Sequence, residues 1–186
     1  MNEKTAKIIR VVTTPPIMAF GMILLLWNHF PSGHPWWAIL FLTVLPMLAY
    51  PFQYCIPGLK AQGRTGQRHL AVIFSVVGYL AGLCYCMLSQ GNHTEYMVYL
   101  CCLCSGLVTA FFTKCLGIKS SGHAAGTVGP ISILMLQVSP WFALAYLLLI
   151  PVYWSSLKLK RHTLKELLWG TCYTIAVTVL IDVLLP

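Results

Sequence analysis

Seven apolar runs separated by short polar breaks constrain this chain more than any other feature. They cover residues 11–30, 36–56, 70–88, 96–116, 124–137, 141–154 and 167–185. An α-helix needs about 20 apolar residues to cross a bilayer, and in hydrocarbon only helices or closed barrels satisfy every backbone polar group. Charged residues make up 9% of the chain, against about 25% in a soluble domain. The pattern predicts an all-α fold, a polytopic membrane helical bundle in one domain over residues 1–186. The fifth and sixth runs are the shortest and are joined by Val138-Ser139-Pro140. They read either as two crossings or as one re-entrant hairpin, giving about six transmembrane helices plus a short or re-entrant one. The first run leads into Trp27-Asn28-His29-Phe30 rather than a small-residue cleavage site, so it is expected to remain as an anchor.

With this topology all twelve Lys and Arg residues fall on one side of the bilayer, together with the breaks at 57–69, 117–123 and 155–166. The other side carries His34, His93 and Glu95. The positive-inside rule places the N-terminus and the three breaks in the cytoplasm. The net charge of +8 is spread over short loops, so the expected partner is the lipid bilayer and no nucleic-acid partner is expected. The eight cysteines lie mostly inside apolar runs. Cys101 and Cys104 form a Cys-x-x-Cys pair, but no neighbouring His or second pair supports zinc, and the cysteines read as packing residues. His29, His34 and His93 read as interfacial polar residues, and Asp182 as a carboxylate at the end away from the three breaks.

The three breaks hold the residues suited to chemistry. Residues 155–166 gather Lys158, Lys160, Arg161 and Lys165 around His162, with Glu166 four positions later. On a helix that spacing lets a carboxylate bond the imidazole and fix its tautomer. A histidine so held among cations suits an anion such as phosphate. In the first break Arg64 and Arg68, four apart, can share a helical face and grip phosphate by forked hydrogen bonds, with Lys60 nearby. In the second, Ser121-Gly122-His123 before Ala124-Ala125-Gly126 reads as a turn opening a helix, where free N–H groups favour an anion. Two histidines can divide the work, one attacking phosphorus and one protonating the departing oxygen.

These motifs resemble the type 2 phosphatidic acid phosphatase superfamily of integral membrane phosphatases. That family carries a Lys, six residues, then Arg-Pro; next Pro-Ser-Gly-His; then Ser-Arg, five residues, His, three residues, Asp. Here the second motif is Ser120-Ser121-Gly122-His123, and the third is Ser155-Ser156, five residues, His162, three residues, Glu166. Ser156 stands where the family has Arg, and Glu166 where it has Asp. Lys60 lies seven residues before Arg68, and His69 replaces Pro. The resemblance implies that His162 is the nucleophile, Glu166 its orienting carboxylate and His123 the general acid. It also implies that Lys60, Arg68, Ser121, Gly122 and Ser155 cradle the phosphate. No metal or other cofactor is implied, and the substrate would be a lipid phosphate or isoprenoid diphosphate. Two other readings stay open: a decayed lipid-phosphate binder or transporter of the same fold, and a phosphotransferase.

Overall fold

Proline chemistry sets the first two helices. α1 spans Glu3–Val12 and is amphipathic. Ala6, Arg10 and Thr13 recur at helical spacing and turn inward, Ala6 being fully buried, whereas Ile8, Val11 and Val12 are exposed. An exposed apolar stripe beside Lys4 and Lys7 suits a helix lying in the membrane interface. Thr14 precedes Pro15 and is driven to extended backbone (φ −64°, ψ 146°). Pro15 and Pro16 then open α2, Pro15–Leu25, at positions where a missing N–H costs least. The two helices are bent by 50° from each other. The run expected over 11–30 is thus broken, its first residues belonging to the basic head helix.

The computed structural model describes residues 2–185, with the side chains of Leu59 and Arg64 outside the description. After a 3-10 turn at Trp27–His29, α3 (His34–Ile39) continues through a π turn at Leu40–Val44 into α4 (Leu45–Cys55). Pro46 lacks the N–H that would return an α-type bond to Leu42, and the wide turn sits just before it. The short α5 (Pro57–Ala61) leads to α6 (Arg64–Leu88), α7 (His93–Cys115) and α8 (Gly122–Gln137). A 3-10 segment at Pro140–Leu148 runs into α9 (Leu149–Lys158), and α10 (Leu164–Leu184) closes the bundle. Among the described residues every regular element is helical.

Five segments are long and apolar enough to cross a membrane: His34–Cys55, Thr65–Leu88, His93–Cys115, Pro140–Lys158 and Leu164–Leu184. The bent α1–α2 pair makes a sixth if counted as one. Leu88, Leu144, Leu147, Ile150 and Val183 point outward and are exposed, as lipid-facing residues are. The chain is a multi-pass membrane protein.

α8 falls outside that set, and its position explains why. Its 16 residues span about 24 Å at 1.5 Å per residue, short of a hydrocarbon core of about 30 Å. It lies among α2, α7, α10 and the 3-10 segment, with most of its residues buried. Its surroundings are therefore protein rather than lipid. A Cβ on Gly126 would come within 2.4 Å of Pro15 Cγ, so glycine is what lets α2 close on α8. At the far end, Gln137 Nε2 donates to Asp182 Oδ1 and Thr94 Oγ1 donates to Gln137 Oε1, both at 3.0 Å. Because Asp182 lies near the end of α10, α8 runs most of the length of that helix. Both the fifth and sixth runs therefore run along the length of the bundle.

His34 corrects an expectation. It is 8% exposed, and its Nδ1 lies 2.7 Å from Oε2 of the fully buried Glu95. A buried carboxylate needs such a partner, so this histidine is an interior one. The apolar core of Met22, Ile23, Leu26, Met97, Tyr99 and Ile133 shares this end of the bundle. The other end adds polar contacts to buried Ala6, Ala124, Val152 and Leu167.

Candidate active site

At that second end, α9 stops with a Schellman motif. Lys160 takes a left-handed conformation (φ 49°), its N–H donates to Leu157 O at 3.0 Å, and Arg161 N–H donates to Ser156 O at 2.9 Å. The chain reverses and delivers His162 above the start of α10. Thr163 caps that helix, its Oγ1 accepting from Glu166 N–H at 3.3 Å. The Glu166 side chain does not return to the cap: its Oε2 lies 2.7 Å from His162 Nδ1. His162 precedes the helix, so the contact crosses the cap rather than running along a helical face as the spacing suggests. With Nδ1–H donated to the carboxylate, Nε2 carries the lone pair.

His123 is brought to the same place by α8. Ser121 caps that helix, accepting from Ala124 N–H at 3.3 Å, and Ser121 N–H donates to Glu166 O at 2.9 Å. A Cβ on Gly170 would lie 2.6 Å from Ser121 O, so glycine allows α10 to approach this turn. His123 Nε2 lies 2.9 Å from Thr13 Oγ1. That hydroxyl spends its proton on Ile9 O at 2.7 Å, so Nε2–H is the donor and Nδ1 the open acceptor. Arg10, on the same stripe of α1, donates from Nη1 to Ser156 Oγ at 2.9 Å.

The charges act together. Burial, then the Arg10 charge, then His162 lower the His123 pKa to about 3, so the unliganded imidazole is neutral. Burial also lowers the His162 pKa; the Glu166 hydrogen bond and charge oppose it, while Arg10 and Arg68 add to it. Leu157, Lys160, Arg161, His162, Thr163 and Glu166 line an open depression of about 440 Å³.

The other residues singled out from sequence divide. Arg68 is exposed at the start of α6, and its charge reaches His162. Lys60 is exposed on α5, and the Arg64 side chain lies outside the described residues. The Ser121 hydroxyl and N–H are used in capping and in holding α10, while Gly122 is exposed in the first turn of α8. Ser155 is fully buried with Oγ donating to Val152 O at 2.9 Å, which gives its hydroxyl a place inside α9 rather than in the cleft. Among the described residues no three His, Cys, Asp or Glu side chains gather as a metal site requires. Sequence reasoning passed over Arg10 and Thr13, treating the head as a topology signal. The clue was there in the spacing of Ala6, Arg10 and Thr13. Comparison with protein families, curated proteins and solved structures returned no match for the chain.

Proposed function

We propose that this protein is a membrane phosphatase of the type 2 phosphatidic acid phosphatase kind, hydrolysing a lipid phosphate or isoprenoid diphosphate. One observation carries the reading: Glu166 holds His162 through Nδ1 beside Lys160 and Arg161, which leaves Nε2 as nucleophile, with a second histidine, His123, within electrostatic reach. Nε2 attacks phosphorus; the N–P bond forms as the P–O bond to the lipid breaks, and His123 gives the leaving oxygen a proton. Glu166 stabilises the charge that develops on the phosphorylated ring. Water then attacks, His123 takes its proton, the N–P bond breaks, and inorganic phosphate leaves. His123 is neutral when the site is free, so substrate must restore its proton. The negative charge of a bound phosphate acts against burial and the Arg10 charge and raises the His123 pKa again. Exposed Leu157, Leu164 and Leu168 beside the cleft offer an apolar path for the lipid tail.

By the positive-inside rule this end, where the Lys and Arg residues collect, faces the cytoplasm. The test is phosphate release by purified protein in detergent, with phosphatidate, phosphatidylglycerol phosphate and a prenyl diphosphate offered side by side in EDTA. Release that is lost in His162→Ala supports the phosphatase. Lipid binding without release, in wild type, supports instead a non-catalytic binder, the reading that Ser156 in place of a motif arginine favours.

A further inference from the structure

We infer that Arg10 is a phosphate-binding residue of this site, its guanidinium brought to Ser156 by α1. The inference rests on the two-histidine phosphatase reading and adds a component that none of the three polar breaks contains. Ser156 is fully buried in the last turn of α9, and its short side chain cannot reach a ligand in the cleft. Its Oγ instead accepts from Arg10 Nη1 at 2.9 Å, across a sequence separation of 146 residues. A guanidinium has five N–H donors in a planar fork, so it can hold Ser156 and a phosphate at once.

The placement of α1 is built. Ala6, with no exposed surface, seats one turn of the helix, and Thr13, just under one turn after Arg10, holds His123 Nε2 at 2.9 Å. The helix that carries the cation is thus tied to the proposed general acid. Arg10 also lowers the pKa of both His123 and His162, which places its charge within reach of the groups that would flank a phosphorus atom. Ser156 acts through Arg10 and is a positioning residue.

Full-length protein in detergent tests this with two readouts, phosphate release from phosphatidate and the affinity for inorganic phosphate. Arg10→Gln keeps an N–H donor for Ser156 but removes the charge. It is expected to weaken inorganic phosphate binding and raise KM, each about 10- to 100-fold, the range for a lost charge-assisted fork. It should also move the acid limb of kcat/KM to higher pH, because a charge that lowers the His162 pKa has gone. Arg10→Lys, which keeps charge without the fork, should fall between. A variant Arg10→Gln that folds with wild-type thermal stability and keeps phosphate affinity and KM within about twofold would overturn the inference. If Arg10→Gln does not fold, Arg10→Lys decides by the same twofold limit. Wild type that binds phosphate, loses it in Arg10→Gln and yet hydrolyses no lipid would uphold Arg10 and sink the phosphatase reading. Wild type that binds no inorganic phosphate at millimolar concentration would overturn both.

Discussion

His162 and Glu166 show how a single contact decides chemistry. The carboxylate fixes which ring nitrogen is open and is also the one group that pushes the His162 pKa upward, against burial and the charges of Arg10 and Arg68. The net direction is downward from 6.5. In the proposed mechanism His162 must be uncharged to attack, so the acid limb of kcat/KM should lie below pH 6.5. Glu166→Gln removes the opposing push; the limb should move to still lower pH while kcat falls roughly 10- to 100-fold. A pH–rate profile of both proteins checks this, and a limb that moves up in the variant would contradict it. This pair was legible in sequence because four residues separate its members and local spacing constrains local contact. The hydrogen bond of Arg10 to Ser156 was not, since nothing in the pattern around either residue encodes a partner 146 positions away.

At the level of elements, the site exists because α8 and α10 come unusually close. Gly170 is the hinge of that argument: its missing side chain leaves room for the Ser121 carbonyl, and Ser121 N–H in turn holds Glu166 O. Gly170→Ala would place a methyl 2.6 Å from backbone oxygen, which cannot yield as a flexible side chain could. Overpacking of this kind costs about 1–3 kcal/mol. The expected outcome is a lower unfolding midpoint in detergent, with kcat/KM down at least tenfold because the two histidines separate. The hydropathy pattern located nearly every helix and marked α8 as short and Gly-containing, a tilted, tightly packed or re-entrant segment; the structure makes it the tightly packed, buried axis of the bundle. Periodicity reports how apolar a segment is, and neither lipid nor protein as its neighbour can be read from that alone.

In the whole molecule the two ends have different physics. One end holds the apolar core with the buried pairs His34–Glu95 and Gln137–Asp182; the other holds the cations with His123 and His162. The sequence revealed this polarity through the one-sided distribution of Lys and Arg, but not the interior role of His34. A lone histidine near an apolar run looks interfacial until the fold supplies its carboxylate. Sidedness can be measured with the native thiols. Cys55 and Cys115 are exposed at the ends of α4 and α7 on the cationic side. An impermeant maleimide should label them in inside-out vesicles and spare them in right-side-out cells; the reverse would place the site outside.

The central claim is that phosphate passes through His162. Labelled substrate mixed with the protein and quenched in base, where phosphohistidine survives, tests it directly by peptide mass spectrometry. The account predicts a phosphoryl group on His162, formed more slowly in His123→Ala because the leaving oxygen loses its proton donor, and none in His162→Ala. A phosphoryl group on another residue, or undiminished turnover in His162→Ala, would contradict it.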